Sequence, residues 1–181
     1  MATAKLARMQ HFAVEVSDTD RSIQFYREVL GFKLTERHPA YEVDAIPVEL
    51  TFMRLGDVHH ELVLVHNPNK KYHTKSGKPQ DDVEGVPSFH HFAFECETRD
   101  DWLAMEQKVR QHDVEFVRGP VLHSWVDKRG DGSWGENEAF YILDPDNHRI
   151  EIFCNLATID PDGTHRSGEG VRMEGTVTAE L

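Results

Sequence analysis

The chain has 181 residues, 39% apolar and 29% charged, enough for a well-buried core of ordinary globular composition. Its 32 acidic residues against 20 basic ones leave a net charge of −12, which repels phosphate backbones and anionic lipids and argues against nucleic-acid or membrane partners. No apolar run is long enough to span a bilayer, and MATAKLARMQ lacks the apolar core and cleavage site of a secretory signal, so a cytoplasmic location is expected.

In chain order, the first predicted strand is His11-Phe-Ala-Val-Glu15. A helix follows, capped by Asp20, running through Ile23, Tyr26 and Leu30 and ended by Gly31. Further strands are expected around Lys33–Glu36, Val48–Leu55 and His60–Val65. A stretch rich in Lys, Gly, Pro and Asp, about 67–88, reads as a linker. Then the pattern begins again. His91-Phe-Ala-Phe-Glu95 repeats the first strand eighty residues on. A helix capped by Asp100 or Asp101 runs through Leu103, Met105 and Val109, and strands follow around Glu115–Val117, Ala139–Leu143 and Ile150–Cys154. His123–Asn137 reads as a long loop holding Trp125 and Trp134, and Thr158–Leu181 as a polar, glycine-rich tail. The expected architecture is therefore α+β: two tandem βαβββ modules, about 9–66 and 89–156, whose curved sheets enclose a cavity, followed by a tail over 157–181.

Strand side chains alternate between faces. With Phe12, Val14 and Val16 as the apolar set, His11, Ala13 and Glu15 face the other way; in the second copy His91, Ala93 and Glu95 do so. The repeat thus selects His91, not His90, as the partner of His11. Ile150 and Ile152 pack toward the helix, leaving Arg149, Glu151 and Phe153 on the cavity face. In the first copy Leu62 and Leu64 pack on the helix, so His59, Glu61 and Val63 face the cavity, and His60 is expected on the opposite face. Two imidazoles and one carboxylate, His11, His91 and Glu151, are a donor set for Fe(II) that leaves positions open for substrate and oxygen. A fourth ligand from Glu61 would make a more closed site suited to Ni(II), Zn(II) or Mn(II). A single strand histidine or glutamate is usually a rim residue; the repeated placement, and the cost of several ionisable groups on one cavity wall without a compensating charge, turn the reading toward a metal. Cys96 and Cys154 lie in apolar strand-like runs outside any CxxC pair and read as reduced core thiols.

From about Met9 to Asn155 these residues resemble the vicinal-oxygen-chelate superfamily, which includes glyoxalases, fosfomycin-resistance enzymes, bleomycin-binding proteins and type I extradiol dioxygenases. The segment Ala139-Phe-Tyr-Ile-Leu-Asp-Pro-Asp-Asn-His-Arg-Ile-Glu-Ile-Phe153 is most similar to the C-terminal signature of the extradiol enzymes. That resemblance implies a metal held by His11, His91 and Glu151, with Tyr141 directed at substrate oxygens and His59 as acid–base catalyst. Arg118-Gly-Pro-Val-Leu-His123 resembles the run that supplies a substrate-binding histidine, implying that role for His123. Ser124–Glu138 is inserted between that run and the Phe-Tyr strand, and its fold decides whether His123 reaches the site. Asn147 replaces the usual glycine of the Asp-Pro-x-Gly turn.

The function so implied is Fe(II)-dependent ring cleavage of a small aromatic diol by O2, in a homo-oligomer, with Trp125 and Trp134 as candidates to close over the ring. Glu61 also fits a glyoxalase-like isomerase or lyase with the four ligands His11, Glu61, His91 and Glu151. A metal-free small-molecule-binding protein is the remaining alternative.

Overall fold

The computed structural model describes residues 9–72, 89–124, 126–133, 135–162 and 164–167. They fall into two compact units, Met1–Ser76 and Gly77–Leu181. Most of the expected linker, residues 73–88, and Trp125, Trp134 and the tail from 168 onward lie outside the described residues.

In the first unit, β1 (Phe12–Glu15), β2 (Lys33–His38), β3 (Glu49–Arg54) and β4 (Leu62–His66) form one open sheet in the order β1-β4-β3-β2. The pairing of β1 with β4 is parallel and the others are antiparallel. Helix α1 (Thr19–Glu28) connects β1 to β2. Its N-cap is Asp18, whose carboxylate accepts from the Arg21 N–H, and not Asp20. Asp20 lies inside the first turn, where its charge suits the helix dipole and its carboxylate takes Arg37 at 2.6 Å. Tyr26, Val16, Met53, Leu62 and Leu64 are buried between helix and sheet, as a strand of period two against a helix of period 3.6 requires.

The second unit repeats this plan. β5 (Phe92–Glu95), β6 (Phe116–His123), β7 (Asn137–Leu143) and β8 (Arg149–Cys154) are ordered β5-β8-β7-β6, with β5 parallel to β8. Helix α2 (Arg99–Gln111) is capped by Thr98 rather than by Asp100 or Asp101, because the Thr98 hydroxyl accepts from the Asp101 N–H. Its inner face is set by Trp102 and Val109, seven residues apart, while Leu103 is 39% exposed. The Trp102 indole N–H donates to the Ile152 carbonyl at 3.0 Å, and its ring packs on Phe140. The two βαβββ modules expected from the repeat are thus present, as two four-stranded sheets that do not close into barrels.

Three features differ from the sequence-based expectation. β6 runs on to His123, and β7 starts at Asn137, directly opposite it, so 124–136 is a hairpin excursion between paired strand ends. Residues 55–61 form a turn rather than the start of a strand, so alternation cannot be extended back from Leu62 to His59, His60 and Glu61. The described part of the tail contains a short hairpin, β9 (Thr158–Ile159) with β10 (His165–Arg166). Cys96 and Cys154 are free thiols, and burial pushes Cys154 up to about 11, which keeps it protonated and unreactive. No helix among the described residues is long and apolar enough to cross a membrane.

Candidate active site

The open face of the second sheet carries a polar wall. Glu151 projects from β8 and is 8% exposed. A buried carboxylate needs partners; it has the His91 Nε2 at 3.1 Å and the Asn137 amide at 3.3 Å. His91 stands just before β5, and its Nδ1 lies 2.6 Å from that of His90, which faces Arg149. Of the two adjacent histidines, His91 is the one that meets Glu151.

Tyr141 stands beside Glu151 across the β7–β8 ladder. Its hydroxyl is 2.9 Å from the His123 Nε2. Burial, and then the nearby charge of Glu151, push Tyr141 up to about 12, so its hydroxyl keeps its proton through the physiological range. His123 therefore reaches the wall despite the insertion.

The reason lies in the Arg-Gly-Pro-Val-Leu-His run. Arg118 pairs with Tyr141 and His123 with Asn137, and Tyr141 and Asn137 share a face because they are four residues apart. Arg118 and His123 are five apart, which in a regular strand would put them on opposite faces. The register shift between Arg118 and Val121 inserts one extra residue and brings both onto the same face. Gly119 makes the bulge possible: its φ is +84°, and a Cβ there would lie 2.7 Å from the Ala139 carbonyl oxygen.

The excursion then folds back onto these residues. The Asp131 carboxylate takes the His123 Nδ1 at 3.0 Å and the Arg118 guanidinium at 2.7 Å. Ser133 donates its hydroxyl to Asp131 at 2.5 Å and lies 2.8 Å from the same His123 nitrogen. The bonds from Ser133, and then the one from His123, hold the Asp131 pKa at about 2. The wall bounds a cavity of about 560 Å³ lined by Ala93, Arg118, His123, Asn137, Tyr141 and Glu151, among others. Arg118, Asp131, Ser133 and Asn137 were not singled out from sequence. Only Arg118 carried a signal, as the first residue of the quoted run.

The first unit presents a different surface. His11 stands just before β1 and pairs its Nδ1 with the Gln10 side chain at 2.6 Å. Its ring meets that of His60 edge-on at 4.7 Å. His60 also lies against Phe52, at 4.9 Å, and its Nδ1 is 2.8 Å from that of His59. The expectation that His60 occupies the opposite face from His11 is therefore wrong, because it sits in a turn where strand alternation does not apply. Burial, with the neighbouring imidazoles, lowers the His60 pKa. His59 is half exposed, with its Nε2 3.4 Å from Glu36.

Glu61 is also in the turn. Its carboxylate accepts the N–H groups of Leu55 at 2.7 Å and Gly56 at 3.2 Å, closing the β3–β4 connection. Nor is it the counterpart of Glu151. Ala93 pairs with Glu151 in the second copy, and Ala13 with Val63 in the first. Tyr141 pairs with Glu151, and Phe52 with Val63. Val63 and Phe52 therefore occupy the positions of Glu151 and Tyr141.

Among the described residues no group of three or more His, Cys, Asp or Glu side chains converges as a metal site. The His91–Glu151 pair supplies two donors of the expected type. The second Glu151 oxygen is held by Asn137, as outer-shell partners orient a ligating carboxylate.

The sequence profile of the Glyoxalase/Bleomycin resistance protein/Dioxygenase superfamily matches residues 8–152. The chain belongs to this superfamily. It is 25% identical over 150 residues to metapyrocatechase from Pseudomonas sp. (strain CF600), a match covering 83% of this chain and 40% of that one. It is 28% identical over 154 residues to lactoylglutathione lyase from Haemophilus influenzae, covering 82% and 93%. Among solved structures, a glyoxylase/bleomycin resistance protein/dioxygenase domain from Frankia sp. superposes with a TM-score of 0.61 at 19% identity, covering 83% of this chain and 98% of that one. The chain thus spans well under half of the metapyrocatechase it matches and nearly all of the smaller lyase. Its relatives include dioxygenases and lyases at similar identity.

Proposed function

We propose that this chain is an Fe(II)-dependent extradiol dioxygenase acting on a catechol-type aromatic. The observation that carries the reading is the His123–Tyr141 pair at 2.9 Å, on the same cavity wall as Glu151, whose carboxylate His91 meets at 3.1 Å. A ring-cleaving site has work for a phenol hydroxyl and an imidazole beside its metal. A glyoxalase-like isomerase needs one base and leaves this pair without a task. Two further observations support the choice: Val63 stands where a four-ligand site would need a carboxylate, and Glu61 is already engaged by backbone N–H groups.

In this reading His91 and Glu151, with His11 from the first unit, hold the metal. When bound, Fe(II) would chelate both diol oxygens and accept O2 in an adjacent position, the chemistry expected of two imidazoles and one carboxylate. Asn137 keeps Glu151 oriented. Tyr141, protonated to about 12, donates a hydrogen bond rather than acting as a base. His123 orients the substrate through its contact with Tyr141. His59 moves protons, as an imidazole can in general acid–base catalysis. A homo-oligomer is part of the proposal, and the net charge of −12 keeps nucleic acid out of it.

The test is oxygen uptake. Protein reconstituted anaerobically with Fe(II) is mixed with a panel of catechols in air-saturated buffer. Uptake that needs both iron and a catechol, with a ring-opened product, is expected. Stoichiometric iron with no catechol consumed would return the lyase reading to first place.

A further inference from the structure

We propose that Asp131 and Ser133, carried by the 124–136 excursion, set the tautomer of His123 and so present its bare Nε2 to the Tyr141 hydroxyl. Asp131 is a positioning residue: it touches His123, not the cavity contents.

The inference follows from counting protons. Ser133 has one hydroxyl proton, and it points to the Asp131 Oδ1 at 2.5 Å. Its oxygen is therefore left as an acceptor toward the His123 Nδ1 at 2.8 Å. The other carboxylate oxygen, Oδ2, also accepts there, at 3.0 Å. Two acceptors converging on one ring nitrogen require that nitrogen to carry the proton. A neutral imidazole then has a bare Nε2, which faces the Tyr141 hydroxyl at 2.9 Å as an acceptor, beside Glu151, the other acceptor of that hydroxyl's single proton. His123 is 6% exposed, so water does not compete for these bonds. Arg118, at 2.7 Å from Oδ2, and the Ser133 N–H, at 2.9 Å from Oδ1, hold the carboxylate in place. Arg118 in turn is carried to this face by the Gly119 bulge. The excursion is thus part of the wall rather than decoration on it.

Nitrogen-15 spectra of the full-length chain read this directly, at mildly alkaline pH where imidazoles are neutral. Wild-type His123 is expected to show Nδ1 protonated and Nε2 bare. Ser133→Ala keeps the carboxylate and should keep that tautomer. The double variant Asp131→Ala/Ser133→Ala removes both acceptors and should shift His123 to the Nε2–H form. A wild-type His123 protonated on Nε2 overturns the proposal by itself, whether or not the double variant folds. So does a folded double variant with an unchanged tautomer. The consequence for turnover rests on the dioxygenase reading. There Asp131→Ala should lower kcat about ten- to a hundredfold with KM little changed, the scale of losing an outer-shell partner. The expected tautomers in a protein that cleaves no catechol would sink the reaction assignment and leave the role of Asp131 standing.

Discussion

Beside Ala93 in the second sheet stands Glu151; beside Ala13, at the matching place in the first, stands Val63. One strand over, Tyr141 in the second copy is matched by Phe52 in the first. The two modules share strand order, helix placement and the His-Phe-Ala strand, yet at these paired positions only the second has polar groups. In the first copy the imidazoles of His59 and His60 come from turn residues set edge-on and tilted against Phe52. Duplication preserved the scaffold, where burial leaves little freedom. It let the open faces diverge, one into a buried hydrogen-bonded wall and the other into a loosely held histidine cluster.

The comparison is broken most severely at Glu151. Glu151→Ala should abolish Fe(II) binding and with it any oxygen uptake, measured by metal analysis and an oxygen electrode. Tyr141→Phe copies the first module's residue into the second. It should cost about 10²–10³ in kcat, the scale of losing one preorganised hydrogen-bond donor, while iron stays bound.

The same residue makes a pH prediction. Its folded pKa of about 12 exceeds the unfolded value near 10. Its contribution to stability is therefore intact below about 10 and lost as pH rises from there toward 12. Denaturant titrations should show wild type losing stability across that window more steeply than Tyr141→Phe.

Gly135→Ala comes next. Gly135 has a φ of +114°, and a Cβ there would fall 2.6 Å from the Asn137 Oδ1. The substitution should cost about 1–3 kcal/mol and loosen the Asn137–Glu151 contact. Glu61→Ala should matter least to chemistry. Loss of two charge-assisted bonds in the β3–β4 turn should destabilise the first unit by about 1–3 kcal/mol, read in urea, with iron binding unchanged.

Much of this was legible in the sequence. The repeated His-Phe-Ala strand gave both modules, and period-two alternation placed Glu151 and His91 on one face because those residues lie in or beside regular strands. The same rule failed at His60, where no strand exists to alternate. Pairing Glu61 with Glu151 failed because the turn from Phe52 to Val63 is longer than that from Tyr141 to Glu151, and turn length leaves no periodic trace. The bulge at Gly119 reverses the face on which His123 is counted, and only the ladder register reveals it. Asp131 and Ser133 were invisible because hydrogen bonds made by an irregular loop depend on its path, not its pattern.

The central claim, that the second module alone supplies the ligating carboxylate, is tested most directly by comparing Fe(II) stoichiometry in Glu61→Ala and Glu151→Ala. The account predicts full iron and retained oxygen uptake in the first and neither in the second. Iron lost from a folded Glu61→Ala protein would contradict it and make the site a four-ligand one.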